Sequence, residues 1–340
     1  MAENVSRDKE SWIDIVKWIA CMLVLLGHFF QSMVKSGIME AGILWQWFDH
    51  TVYLFHVPLF FICSGYLYQR NSVVETRNAW KDNVLRKAVN LGVPYVAFSA
   101  ASFLLKEVFQ GTVNEENSSN FLRTLFLEPL SPYWYLYILF FLFLVTPTFK
   151  SKKQAFISLA VSLFIFFFQQ NPLVKEVYFV QGVARREIWF IIGMLLCFCK
   201  NEIKFDVRYL AVSFLLFPFT IMGYNKEMEL LPWMLYCLTA GICGCLLVLE
   251  ISFLLNDKVP EKAIRFSRKN TLPVFLMHTI FAAGIRSILC KMGITSLAVH
   301  VILGISGSIF FPVIAAEIMR KFPWMYFFIQ PDLRRKDRSQ

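Results

Sequence analysis

The chemistry-bearing residues Asp14, Lys17 and His28 share one long apolar stretch, Trp12 to Val34. About 20 such residues cross a bilayer as a helix, and ionisable groups at that depth normally face a protein interior or a wet cavity. Lys17 and His28 are 11 positions apart, which places them within about 20° of each other on a helix and about 16 Å apart along it. An imidazole there can act as a general base or as a nucleophile. The spacing predicts a polar tunnel into the membrane with His28 well inside it.

The same face of this helix carries other polar residues. Asp14, Cys21 and Ser32 fall in the sector of Lys17 and His28, and apolar residues cover the other faces. Each ionisable group also has a simpler interpretation. His28 could form an interhelical hydrogen bond, Lys17 could extend to the headgroups, and Asp14 could only pair with Lys17. The sequence leaves these alternatives open beside a catalytic role for all three residues.

The composition is that of a multi-pass membrane protein. Of the 340 residues, 57% are hydrophobic and 17% are charged, against about 25% charged in soluble domains. We therefore attribute the net charge of +10 to cytoplasmic loops rich in lysine and arginine, and we expect no nucleic-acid partner. The eight cysteines lie mostly in apolar segments, where cysteine acts as a small hydrophobe. We expect neither disulfides nor a metal, since no HExxH motif is present.

The hydropathy pattern predicts an all-α fold of ten transmembrane helices. They are expected at 12–34, 48–68, 88–108, 132–149, 154–170, 184–199, 207–224, 231–255, 271–290 and 295–319. With the N-terminus inside, 24 of the 34 lysines and arginines fall in inside segments, which predicts cytoplasmic termini. The predicted organisation is a cytoplasmic segment at 1–11, one transmembrane domain at 12–320 and a basic cytoplasmic tail at 321–340.

Further candidate residues lie in the other helices. Pro58 should kink the second helix, close to His56 and to a small Ser64-Gly65 pair that would allow close approach of a helix or ligand. Arg86 and Lys87, at the start of the third helix, could hold a phosphate-bearing ligand. Substrate contacts are predicted at several positions for which an aromatic belt, a helix-end anchor or an interior hydrogen bond is the alternative. These positions are His56, Tyr133, Trp134, Arg185, Arg186 and His278.

The ordered motifs resemble those of the membrane acyltransferase-3 family, the integral-membrane O-acyltransferases of bacterial cell-surface glycans, in its short form without a fused esterase-like domain. The resemblance runs over residues 7–320. It is carried by RDKESWIDIVKWIACMLVLLGH, FHVPLFFICSGYLY, SPYWYLYILFFLFLVTP, REIWFIIGMLL and NTLPVFLMHTIF.

This resemblance implies roles for individual residues. His28 matches the essential histidine of the family and Lys17 its partner basic residue, which is more often arginine. Arg86 matches the first of two basic residues spaced four apart. The second is Asn90 here, and Lys87 is the candidate to replace it. A donor site of Lys17, Arg86, Lys87 and Ser64 is therefore expected.

The implied activity is transfer of an acyl group, most often acetyl from acetyl-CoA, to a hydroxyl of a cell-envelope glycan or its lipid-linked precursor. The expected setting is the inner cell membrane, with acyl-CoA, the glycan acceptor and membrane lipids as partners; an oligomer is compatible with such a chain. A polysaccharide or lipid-linked sugar exporter is the alternative, because a polar intramembrane stripe also suits a permeation path.

Overall fold

The computed structural model describes residues 10–331 except 112, 115–116, 118, 201–207, 209 and 216–227. All regular secondary structure in this part of the chain is helical, which confirms the predicted all-α class. Residues 208 and 210–215 are helical as well. The helices are α1 Ser11–Lys35, α2 Ile43–Asn71, α3 Arg77–Val108, α4 Phe121–Phe126, α5 Trp134–Val145, α6 Lys152–Phe168, α7 Pro172–Lys175, α8 Tyr178–Cys199, α9 Leu230–Leu255, α10 Glu261–Lys291, α11 Leu297–Lys321 and α12 Pro323–Tyr326.

The helix boundaries depart from hydropathy where polar residues extend a helix. α3 begins at Arg77 rather than near 88, and α10 begins at Glu261 rather than near 271. Hydropathy marks the apolar part of a helix, but backbone hydrogen bonding continues through polar turns. The Thr76 side chain starts α3 by accepting from the Ala79 amide at 3.2 Å. α5 is shorter than predicted because Pro147 disfavours helix at the preceding residue.

Six of these helices are long and apolar enough to cross a membrane: α1, α2, α3, α9, α10 and α11. α5 has 12 residues and α6 has 17, lengths of about 18 and 26 Å against a hydrocarbon core of about 30 Å. α8 has 22 residues, but Arg185, Arg186 and Glu187 interrupt its apolar run. The predicted helix at 207–224 lies mostly outside the described residues. A count of ten spans therefore stays a prediction.

Two glycines bring α2 and α8 into backbone contact at the centre of the structure. A Cβ atom on Gly65 would lie 1.9 Å from the Phe190 carbonyl oxygen, and one on Gly193 would lie 2.0 Å from that of Ile62. Only glycine allows this separation. Gly65 is thus a close-packing element, as the small Ser64-Gly65 pair suggested. α2 also packs against α1 and α9, so its buried face is held on several sides.

The helix ends form two clusters on opposite sides of the bundle. We call the cluster around the start of α1 the Lys17 end and the cluster around the last turns of α1 the His28 end. At the Lys17 end, Glu10 pairs with Arg70 and with Lys200. Other ion pairs there join neighbouring segments, namely Arg268–Asp14, Lys150–Glu75 and Lys269–Glu317. At the His28 end, Asn114 donates to the Ser32 carbonyl at 2.9 Å and Gln31 donates to Asp49 at 2.9 Å. The segments predicted to be inside thus meet at one end wherever they are described.

Candidate active site

His28 opens onto a small cavity formed by four parts of the chain, which we call the His28 cavity. Its volume is about 40 Å³, large enough for a water-sized group. The imidazole Nε2 lies 3.4 Å from the Ser131 hydroxyl, so a hydroxyl already occupies the position of a proton donor to the ring. The cavity is lined by Val24, His28, Tyr53, His56, Val57, Phe60, Ser131, Pro132, Trp134, Tyr135 and Phe275.

Two further histidines flank His28, and each has one ring nitrogen bound to its own helix. His56 Nδ1 donates to the Val52 carbonyl, and His278 Nδ1 lies 3.1 Å and 2.9 Å from the carbonyls of Val274 and Phe275. Because a carbonyl oxygen can only accept a hydrogen bond, the ring nitrogen that faces it must carry the proton. Neutral His56 and His278 therefore have N–H at Nδ1 and a lone pair at Nε2. The His278 ring centre is 5.5 Å from that of His28. Three imidazoles therefore meet at one place.

The predicted aromatic contacts have different positions. Trp134 lines the His28 cavity, and the guanidinium carbon of Arg186 lies 4.5 Å from its ring centre, within cation–π range. Tyr133 is fully buried outside that lining; its hydroxyl donates to the Leu276 carbonyl at 3.0 Å and contacts Ser102. Arg185 is exposed. The geometry thus brings Trp134 and Arg186 to the site, whereas Tyr133 packs the helices around it.

The segment that carries Ser131 is fixed by polar contacts at the His28 end. Arg123 donates to Glu128 at 2.8 Å and the Ser119 hydroxyl donates to the same carboxylate at 3.0 Å. These two donors hold the pKa of Glu128 below its usual value, because they stabilise the ionised carboxylate. These contacts fix the path of the chain that places Ser131 beside His28.

The other end of the α1 stripe faces a larger cavity, the Lys17 cavity, of about 370 Å³. Asp14 is held by Arg268 at 2.7 Å rather than by Lys17, so the alternative of an Asp14–Lys17 pair is not the one formed. Lys17 is one of the residues that line the cavity. The lining residues are Glu10, Ile13, Asp14, Lys17, Leu67, Arg70, Asn71 and Arg268.

The predicted donor-binding residues of α3 gather near Lys17. Lys87 lies close enough to both Lys17 and Arg86 for their charges to act on it, and its ammonium sits 3.8 Å from the Phe143 ring centre. Arg86 is exposed, with one contact to Asn83 at 3.4 Å. Neither Lys87 nor Arg86 is among the residues that line the Lys17 cavity; they add positive charge beside it, which attracts anionic groups.

The remaining predicted donor contact, Ser64, lies on α2 between Phe60, which lines the His28 cavity, and Leu67, which lines the Lys17 cavity. Its hydroxyl is 3.0 Å from that of Tyr135, which lines the His28 cavity. Between the cavities, Cys21 is buried and its thiol contacts the Thr271 carbonyl at 3.6 Å. Where the sequence predicts a continuous tunnel, the structure has two separate cavities with packed side chains between them.

Several residues of the site carry no signal in the sequence. Ser131 and His28 are 103 positions apart, and Asp14 and Arg268 are 254 apart, so no local spacing connects either pair. Tyr53 reaches the His28 cavity from the helix turn before His56. A helix-periodicity test around His56 could have found Tyr53, whereas Ser131 required the tertiary structure.

Comparison with known proteins identifies the family of this chain. A family model described as an acyltransferase domain, acyltransferase-3, matches residues 10–317. Nodulation protein NolL of Mesorhizobium japonicum (strain LMG 29417 / CECT 9101 / MAFF 303099) is 27% identical over 179 residues, or 51% of this chain and 46% of that protein. The chain thus matches about half the length of this curated relative. No solved structure matches the chain. Since the family model spans both cavities and nearly every described helix, this chain belongs to the acyltransferase-3 family of multi-pass membrane acyltransferases.

Proposed function

We propose that this protein transfers an acyl group, most often acetyl, from acyl-CoA to a hydroxyl of a cell-envelope glycan or its lipid-linked precursor. The observation that carries the proposal is the position of His28. Its Nε2 lies 3.4 Å from the Ser131 hydroxyl in the wall of a small cavity, and Lys17 lies about 16 Å away toward the other end of the same helix. The inner cell membrane is the proposed location.

His28 supplies the reactive nitrogen. A sugar hydroxyl needs to lose a proton as it attacks a thioester, and an imidazole with an ordinary pKa near 6.5 suits that task. The hydroxyl of Ser131 marks where an acceptor hydroxyl would donate to Nε2. The same nitrogen could carry the acyl group between donor and acceptor, and both routes place the acceptor hydroxyl in the His28 cavity.

The Lys17 end supplies the donor site. Lys87 lies within electrostatic range of both Lys17 and Arg86, and the positive charge of these residues suits phosphates, the anionic groups of CoA. A lysine contacts a phosphate or carbonyl as a point charge rather than as a fork. The thioester end must then reach His28 past Cys21, so the side chains between the cavities have to move aside during turnover.

The acceptor site follows from the groups around Trp134. Sugars stack on aromatic faces, and Trp134 presents its ring to the His28 cavity. Arg186, held over that ring, adds a positive charge suited to an acidic or phosphorylated acceptor. Tyr53 and His56 complete a wall with several hydrogen-bonding groups.

Purified protein in detergent should transfer label from radioactive acetyl-CoA to solubilised envelope glycans. His28→Ala should lower the rate at least about 10²-fold, the usual contribution of an acid–base group. His300→Gln is the matched control, because His300 donates to the Ile294 carbonyl away from the cavity and glutamine can keep that bond. Mass spectrometry of envelope glycans from cells with and without the protein identifies the acceptor and the acyl group.

Two results would overturn the proposal. One is full transfer activity in His28→Ala at unchanged protein yield. The other is movement of glycan across vesicle membranes by the wild type without release of CoA, which is the result expected of an exporter.

A further inference from the structure

His278 Nε2 is a buried polar atom without a hydrogen-bond partner among the described residues. The residue is 1% exposed. A buried polar atom without a partner is unfavourable, so such a group in a native structure calls for an explanation, of which a catalytic role is one. Since Nδ1 is bound to the carbonyls of Val274 and Phe275, Nε2 lies on the opposite side of the ring and can only accept.

The nearest ring that can donate to it belongs to His28. Two imidazoles joined by an N–H···N bond of about 2.9 Å have ring centres about 5 Å apart. The observed separation is 5.5 Å, with the rings tilted by 35°. Closing the bond requires the two rings to approach by about 0.5 Å with Nδ1 of His28 turned toward Nε2 of His278. His28 needs such an acceptor, because it can present Nε2 as a base only when its proton sits on Nδ1.

We propose that His278 is a positioning residue that accepts the Nδ1–H of His28 and so fixes its tautomer and orientation. The inference rests on the proposed function and assigns His278 a role beyond substrate contact. The Nδ1 proton stays on His28 throughout. When Nε2 takes the acceptor proton or the acyl group, the ring becomes cationic, and the lone pair of His278 stabilises it. The arrangement is that of a general base or nucleophile whose orientation is fixed by a hydrogen-bonded partner.

Two substitutions separate this role from simple packing. His278→Asn places an amide N–H near the position of Nδ1, so it can still donate to the α10 carbonyls, but it lacks an acceptor at the position of Nε2. His278→Gln can place its amide oxygen near the Nε2 position and keeps that acceptor. We expect kcat with acetyl-CoA and solubilised envelope glycans to fall about 10²-fold or more in His278→Asn, with the KM for acetyl-CoA unchanged. His278→Gln should recover at least about a tenth of the wild-type kcat.

A second readout does not depend on activity. The chain has five histidines, so ¹⁵N-histidine spectra in micelles are tractable, and His28→Gln assigns the His28 signals. We expect one His28 tautomer in the wild type and in His278→Gln, and a mixture of tautomers in His278→Asn. Identical His28 signals in wild type and His278→Asn would overturn the inference even if transfer activity is confirmed. Inactive wild-type protein with the expected spectra would overturn the proposed function and leave the His28–His278 pair standing. Equal loss of kcat in both variants, with unchanged spectra, would show a packing role alone.

Discussion

Lys17 is the residue whose two interpretations differ most in their consequences. As a headgroup anchor it would affect insertion, and as a donor contact it would affect the binding of acetyl-CoA. Its place on the wall of the Lys17 cavity, without the Asp14 pair, favours the donor contact. Lys17→Met should raise the KM for acetyl-CoA about 10-fold, the effect of losing roughly 1.4 kcal/mol of binding. Lys17→Arg should keep most of the affinity.

The matched control for Lys17 is Lys153→Met. Lys153 is an exposed lysine on α6, at the end of the bundle where Lys150 pairs with Glu75. Its substitution removes one positive charge without touching the cavity. Equal KM values in Lys17→Met and Lys153→Met, measured by steady-state release of CoA thiol, would contradict a donor contact.

Spacing along one helix is what the sequence reveals well at the residue scale. The alignment of Lys17 with His28 follows from helix periodicity, and each of the two residues lines a cavity. The partners of these residues were not predictable in the same way. Arg268 reaches Asp14, and Ser131 reaches His28, only because separate helices pack together. Helix periodicity therefore predicts which face of a helix a residue occupies. Its contact partners need coordinates, since even Asp14 and Lys17 on one helix do not pair with each other.

The α2–α8 contact should be intolerant of a single added methyl group. In Gly65→Ala the new Cβ would lie 1.9 Å from the Phe190 carbonyl oxygen, which is backbone and cannot move aside cheaply. We expect a loss of about 1–3 kcal/mol of stability or more, together with reduced activity, because Ser64 and His56 lie on the same helix. The measurement is the thermal midpoint of the purified protein in detergent, followed by intrinsic fluorescence.

Gly92 provides the matched control for this contact. It lies within α3, and a Cβ there would meet no atom within 4 Å. Gly92→Ala should leave stability unchanged or raise it by up to about 1 kcal/mol, because alanine favours helix. An equal, small effect of both substitutions would show that α2 and α8 separate without cost.

The elements themselves were largely predictable, for a clear physical reason. An apolar run long enough to span the bilayer has few alternatives to helix, since backbone groups in lipid must be satisfied internally. The ends of helices were less predictable. α3 and α10 include polar turns, such as Arg77 to Asn83 in α3. In such turns, capping and tertiary contacts determine where the helix begins, and hydropathy gives no signal.

At the scale of the whole molecule, ion pairs join the polar segments at the Lys17 end. The chain segments near Glu10, Arg70, Lys200 and Arg268 come together there through the pairs of Glu10 and Asp14. The sequence predicts the same segments on the positively charged side. An alternating arrangement of helices explains both observations, because each return to the Lys17 end adds another basic segment. We propose that this end faces the cytoplasm, where the donor is found.

Cysteine labelling of intact cells tests that orientation. The eight native cysteines are free thiols and only Cys290 among them is exposed, so Cys290→Ser gives a suitable background. Into it we would place Glu75→Cys, at the Lys17 end beside Lys150, and Asn120→Cys, in the segment leading to Ser131. A membrane-impermeant maleimide should label Asn120→Cys in intact spheroplasts and Glu75→Cys only after permeabilisation, because the excess of lysine and arginine holds the Lys17 end inside. Labelling in the opposite order would place the Lys17 cavity outside, where cytoplasmic acyl-CoA cannot reach it. That result would overturn the proposed donor contacts of Lys17, Arg86 and Lys87.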